Sequence, residues 1–200
     1  REQYGNASSQ YSLGVKAKNA IEQARQQTAN AICAEPDEIF FTSGGSEANS
    51  WVLWGVAEVY RSKEIHIITS SIEHHSVLNA CHTLKSMGTE VTFLPVNSEG
   101  AVEIASVKNA IKPNTKLVSL MLANNEIGTI QPIGEIGKYL RERGILFHTD
   151  AVQAVGHVPV DVNELNEMFM QNFEMVREIQ NFSIERLDKI RNLKFTPNYY

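Results

Sequence analysis

Two hydrophobic rhythms alternate along the chain. Between Val15 and Cys33, the residues Ala17, Ala20, Ile21, Ala24, Thr28, Ala31 and Ile32 recur near i, i+3, i+4, i+7, with Lys16, Lys18, Glu22, Arg25 and Gln26 outside that stripe. This spacing predicts an amphipathic helix. Glu38–Thr42 is a short β-rich run, and Ser43-Gly44-Gly45-Ser46 turns the chain into a second predicted helix, Glu47 to Arg61. The same alternation continues with strands at Ile65–Thr69, Glu90–Leu94, Lys116–Met121 and Ile145–Thr149, and helices at Ser76–Met87, Glu103–Ile111 and Ile136–Arg143. Gly88, Pro95 and Gly144 punctuate them. Strands alternating with helices of about 10–15 residues predict an α/β fold: three layers, with a largely parallel sheet flanked by helices and right-handed crossovers.

Composition narrows the class. The chain has 200 residues, 42% of them hydrophobic and 20% charged, with a net charge of −5. Neither disorder nor a membrane span fits that balance, and the acidic charge without a basic stripe argues against nucleic acid as a partner. Two cysteines cannot make a disulfide framework, and no Cys/His set has metal-ligand spacing, so no metal site is predicted. Cys33 and Cys81 are both expected to be packing residues. The chain starts at Arg1 with no signal peptide after it; a cytoplasmic protein is expected, with either its start missing or the chain cut from something longer.

In parallel sheets, ligands bind beyond the carboxyl ends of the strands, and four polar clusters stand there. Ser43-Gly44-Gly45-Ser46-Glu47 opens a helix, either as a capped tight turn or as a phosphate cradle. His74 follows the strand at 65–69, as a loop residue or as a ring-stacking acid/base. Asn124-Asn125 follows the strand at 116–121, as a turn cap or as a donor to a ligand oxygen. Asp150 ends the strand at 145–149 with Gln153 one turn on, as an N-cap or as a partner for a protonated ring nitrogen or a ribose hydroxyl. Together they supply a phosphate cradle, an imidazole, an amide and a carboxylate on one edge of the sheet. That inventory suits pyridoxal phosphate.

Five strings carry a resemblance: Gly5–Ser9, Phe41–Asn49, Glu73–Leu78, Asn124–Pro132 and Phe147–Ala154. In sequence and order, the chain from about Tyr4 to Leu165 resembles the cysteine desulfurases of the class V aminotransferase family, fold-type I pyridoxal-phosphate enzymes. The resemblance implies a partial cofactor-binding large domain over 1–165. It also implies that Gly45 and Ser46 hold the phosphate, with Ser46 at a place where the family more often has Thr. His74 would stack on the pyridine and move protons, as the one catalytic residue assigned. Asn125 would touch substrate or the phenolic oxygen, Asp150 would pair with the pyridine nitrogen, and Gln153 would bond the phenolic oxygen.

Beyond Leu165 the resemblance stops. The family continues into a Ser-x-His-Lys segment whose lysine holds the cofactor covalently, whereas this chain reads Asn166-Glu167-Met168-Phe169-Met170-Gln171-Asn172-Phe173. Lys189 and Lys194 stand in other contexts, and the family's sulfur-accepting cysteine, its substrate-clamping Arg and its C-terminal domain have no counterpart. The tail, 166–200, has Phe169, Phe173, Val176, Gln180, Ser183, Leu187 and Ile190 at helical spacing, two of them polar, and is expected to be a non-matching helical segment left by a frame change or truncation. By resemblance, the parent takes sulfur from L-cysteine, gives L-alanine and an enzyme persulfide, and serves iron–sulfur cluster or thiocofactor assembly. It would work as a homodimer with a sulfur-acceptor or scaffold protein. This chain is expected to be inactive alone. The alternatives are a non-catalytic cofactor-binding remnant or a selenocysteine lyase-like relative.

Overall fold

The computed structural model describes residues 5–60 and 64–166. Six α-helices and four strands occur in them: α1 (Ser12–Ile32), α2 (Gly45–Val59), β1 (His66–Ser70), α3 (His75–Ser86), β2 (Glu90–Leu94), α4 (Ile104–Ala110), β3 (Thr115–Ser119), α5 (Ile133–Arg141), β4 (Leu146–His148) and α6 (Val162–Asn166), with a 3-10 turn at Pro36–Glu38. The strands form one sheet in the order β2-β1-β3-β4, and every pairing is parallel. This is the expected α/β architecture.

Strand alternation sorts the core into two layers. Ile68, Leu94, Val118, Leu120 and Phe147 face one way and pack with Val107 of α4 and Ile133, Ile136 and Leu140 of α5. Ile67, Val91 and Leu117 face the other way and pack with Leu53 and Val56 of α2 and Val77, Cys81 and Leu84 of α3. β1 is completely buried because it has a strand on both sides and helices on both faces. Its His66 is a satisfied core polar group: Nδ1 meets Thr115 Oγ1 and Nε2 meets Thr92 Oγ1, each at 2.8 Å. Burial lowers its pKa.

The sheet order sets the site. The chain passes from β1 to β2 on one side, then returns to place β3 on the other side of β1. The connections therefore diverge at the C-terminal ends of β1 and β3, where a doubly wound sheet opens its crevice.

Two expectations fail. Glu38–Thr42 is not a strand: Pro36–Glu38 is a 3-10 turn and Ile39–Thr42 is extended chain. A strand needs a neighbouring ladder, and this segment lies against none. Phe40 and Phe41 are exposed instead, with Arg25 over the Phe41 ring and bonded to the Ile39 carbonyl. The stripe on α1 is also largely unburied: Ala17 is buried, but Ala20, Ile21, Thr28 and Ala31 are exposed. The helix packs on the 3-10 turn and, through Gly14, on the turn at 6–9, not on the sheet. A Cβ on Gly14 would sit 2.5 Å from the Ser9 carbonyl oxygen. The proposed tail helix lies outside the described residues apart from its first position. Among the described residues, no helix is long and apolar enough to cross a membrane, and no group of three His, Cys, Asp or Glu could hold a metal ion.

Candidate functional site

The site is built from the loops that leave β1, β3 and β4 and from the start of α2. Gly44, extended at φ 161°, leads into α2 without a side-chain cap. The N–H groups of Glu47 and Ala48 reach the Gly44 carbonyl, whereas those of Gly45 and Ser46, as the first in the helix, have no carbonyl behind them to accept. The Glu47 carboxylate turns back to accept from the Ser43 N–H at 2.5 Å, and those bonds to Ser43 lower its pKa. Gly45 faces the loop after β4. A Cβ there would lie 2.8 Å from Val152 Cγ2, so only glycine leaves that approach open.

Asp150 follows β4 and is buried beneath this helix start. Its Oδ1 accepts from the Val152 N–H at 3.0 Å and its Oδ2 from Asn49 Nδ2 at 2.7 Å. Asn49, buried on α2, also donates to Ser76 Oγ at 3.0 Å. Ser76 Oγ lies 2.8 Å from His74 Nδ1, and the Ser76 N–H donates to the same nitrogen at 3.2 Å. A continuous polar line therefore runs from Asp150 through Asn49 and Ser76 to His74, across three elements that the sequence separates widely.

Above this line lies an open groove of about 460 Å³ between α2 and α3, with Ser46, Ser50, Trp54, His74, His75 and Ser76 in its walls. The predicted Ser46 and His74 face each other across it. Gly45 and Asp150 join them through the helix start and the hydrogen-bonded line. Asn125 and Gln153 are exposed on their loops and do not line the groove. The loop carrying Asn125 is set by its neighbour: Asn124 is buried, donates to the Ile72 carbonyl at 2.9 Å and accepts from the Glu126 and Ile127 N–H groups.

Under His74 sits Glu73, 5% exposed, whose Oε1 accepts from Ser70 Oγ and the Met121 N–H. Its Oε2 has no partner among the described residues. Asn49, Ser76 and Glu73 were not singled out as site residues. Asn49 had a helical signal, since it lies three residues after Ser46 and so falls on the same face of α2. Ser76 stands two residues after His74 at a helix start, the spacing of a local side-chain cap. The expectation for the cysteines holds for Cys81, which is buried in the α3 core, but not for Cys33. Cys33 is exposed because it ends α1 in the left-handed conformation, φ 58°, pointing away from the core.

These features are compatible with a ligand that has an anionic group for the open α2 terminus and a basic ring nitrogen for the Asp150 carboxylate. Pyridoxal phosphate has that shape, and the Gly45 approach that a Cβ would fill is consistent with it. No lysine is among the residues lining the groove.

The sequence profile of the family described as Aminotransferase class-V matches residues 1–171. The chain is 55% identical over 165 residues to "Cysteine desulfurase IscS" of Methanosarcina thermophila, covering 82% of this chain and 41% of that protein. It is 53% identical to the protein of the same name from Clostridium botulinum, covering 82% and 42%. Among solved structures, "SspA in complex with cysteine" superposes with a TM-score of 0.80 at 42% identity over 82% of this chain and 48% of that one. A "NifS-like protein" does so with a TM-score of 0.79 at 38% identity, covering 82% and 46%. The chain thus spans about two-fifths of the length of the curated relatives it matches. On the profile match, which covers most of its length, the chain belongs to the aminotransferase class-V family.

Proposed function

We propose that this chain carries part of the pyridoxal 5'-phosphate site of a cysteine desulfurase. The whole protein would convert L-cysteine to L-alanine and pass the sulfur to an acceptor or scaffold protein for iron–sulfur cluster or thiocofactor assembly, as a homodimer. The observation that carries this reading is the line Asp150–Asn49–Ser76–His74 ending beside the open start of α2. The class-V family and the cysteine desulfurases among the relatives support it.

Bound pyridoxal phosphate supplies an electron sink for the carbon beside a substrate amino group. The protein's residues do the rest. The Gly45 and Ser46 N–H groups and the Ser46 hydroxyl hold the phosphate at the positive end of α2. Asp150, fixed by two donors, keeps a proton on the ring nitrogen. His74 would lie beside the ring, with Nε2, the nitrogen not engaged by Ser76, as its donor toward the ligand. Asn125 and Gln153, exposed on the loops after β3 and β4, would have to turn inward to meet substrate or the phenolic oxygen.

For this chain alone the reading is reversible, non-covalent binding without turnover. Its groove carries no lysine, and neither Cys33 nor Cys81 lines it. The experiment is an absorbance titration of the chain with pyridoxal phosphate, followed by borohydride treatment and an alanine assay with L-cysteine. Saturable binding without a reduced covalent adduct supports the reading. Absence of saturable binding overturns the site, and alanine release above a buffer control overturns the inactivity.

A further inference from the structure

We propose that Asn49 and Ser76 are positioning residues that hold the proton of the neutral His74 imidazole on Nε2, because the Asp150 carboxylate fixes the Asn49 amide, and through it the Ser76 hydroxyl, as donors toward Nδ1. The role of this proton in catalysis rests on the cofactor reading above, but the relay itself does not.

The direction of each bond follows from what each group can do. A carboxylate accepts, so the Asn49 amide must present its nitrogen to Asp150 Oδ2, at 2.7 Å. The same nitrogen lies 3.0 Å from Ser76 Oγ and donates its second proton there. Ser76 Oγ, once it accepts from Asn49, has its own proton free for the His74 Nδ1 at 2.8 Å. The Ser76 backbone N–H can only donate, and it points at the same nitrogen at 3.2 Å. His74 Nδ1 is therefore an acceptor twice over. The neutral ring carries its single proton on Nε2, because an Nδ1–H would confront two donors. If the Asn49 amide were reversed, its oxygen would face the carboxylate and the chain of donors would break at the first link.

The arrangement is the reverse of a base oriented by a carboxylate: donors meet Nδ1, so the neutral ring offers the groove an Nε2–H donor. It also explains why a buried Asn stands in the middle of α2, where Asn has low helix propensity. Its two N–H bonds tie the loop after β4 to the start of α3 and orient the one imidazole that is engaged with the groove through this line.

The test is nitrogen and carbon NMR of the chain without cofactor at about pH 9, where an ordinary imidazole is neutral. His74 is assigned by the signal lost in His74→Gln. The readout is the ratio of Nε2–H to Nδ1–H tautomer, compared with a blocked histidine peptide. We expect a ratio roughly fivefold above the peptide, the effect of about one hydrogen bond. Ser76→Ala lowers it toward the peptide, Ser76→Thr restores it, and Asn49→Leu lowers it partway. Because Asn49 is buried, Asn49→Leu can fail to fold, and the Ser76 pair then decides the matter. A wild-type ratio equal to the peptide's, or one unchanged in Ser76→Ala, overturns the proposal. A purely structural role for Ser76 would change stability and leave the ratio alone. Because no cofactor is present, failure to bind pyridoxal phosphate would overturn the function proposed above and leave this relay standing.

Discussion

Glu73 holds the Met121 backbone: its Oε1 accepts from the Met121 N–H at 3.0 Å while also accepting from the Ser70 hydroxyl at 2.5 Å. The contact stitches the loop after β1 to the end of β3 across the crevice, directly beneath His74. Burial drives the Glu73 pKa up to about 7, the bonds from Ser70 and Met121 pull it back in part, and the Asp150 charge adds to the rise.

This raised value makes stability depend on pH. Below the ordinary glutamate range both folded and unfolded chains bind the proton. Between that range and about pH 7 only the folded chain does, so folding stability falls as pH rises, by roughly 3 kcal/mol in all. Glu73→Gln keeps an acceptor for Ser70 and Met121 and cannot titrate. Urea unfolding at pH 5 and pH 8 is therefore expected to show the difference between variant and wild type moving in the variant's favour by about that roughly 3 kcal/mol. A difference that stays constant across the range would show that Glu73 is ionised throughout.

His148 opposes this slope. Burial pushes its pKa down to about 4, against the pull of Asp150, and Nδ1 is paired with Ser119 Oγ at 2.8 Å. The unfolded chain binds a proton on this ring below its ordinary range while the folded chain does not, so this group adds stability as pH rises from about 4 toward 6.5. Over the shared window the two groups cancel in part. His148→Asn is expected to leave a chain whose stability falls more steeply between pH 4.5 and 7, and the double variant with Glu73→Gln to lose that fall and keep the rise that buried His66 contributes. Unfolding curves of the four proteins at several pH values test this. A His148→Asn slope equal to the wild type's refutes the assignment.

The same physics decides how much of the molecule the sequence displayed. The strands β1, β2, β3 and β4 were legible because each is a short apolar run closed by Gly, Pro or a polar cluster. His74 and Asp150 stand just beyond the ends of β1 and β4, which made their places legible, whereas Ser46 was placed by the glycine pair that opens α2 and not by a strand. The run at 38–42 has the same apolar, β-branched look as β1, but strand formation depends on a neighbour that local sequence does not contain. The α1 stripe misled because Ala is placed equally well in core and solvent by helix propensity. Asn49 and Ser76 were hidden for a different reason. Each looks like an ordinary helix-terminus or helix-face polar residue until Asp150, 101 residues from Asn49, is folded against them.

Gly45 offers a test of the helix-start cradle. A methyl group there would meet Val152 Cγ2 at 2.8 Å, and Val152 is 62% exposed, so it can swing toward solvent. Gly45→Ala is therefore expected to cost under about 1 kcal/mol of stability. It should nonetheless weaken pyridoxal phosphate binding roughly tenfold, because the added methyl and the displaced Val152 crowd the N–H groups that meet the phosphate. Val152→Ala in the same chain should recover most of that loss. Absorbance titrations of the single and double variants measure it. If Val152→Ala recovers nothing, crowding at this approach is not the cause.

The phosphate and ring-nitrogen roles in the proposed site should separate at Asp150. Its carboxylate accepts from two donors, Val152 N–H and Asn49 Nδ2, and Asp150→Asn has one oxygen to offer them. One buried donor is then left unpaired, which costs roughly 1–3 kcal/mol of folding stability. The substitution also removes the negative charge that would keep a proton on the ring nitrogen, so pyridoxal phosphate affinity should fall more than about tenfold. Inorganic phosphate meets only the start of α2, so its affinity should stay within about twofold of wild type. Titrating both ligands against the same folded preparation of Asp150→Asn provides the comparison. Equal losses for both would mean that Asp150 serves the groove only by holding α2 in place, while a loss confined to pyridoxal phosphate would assign its charge to the ring.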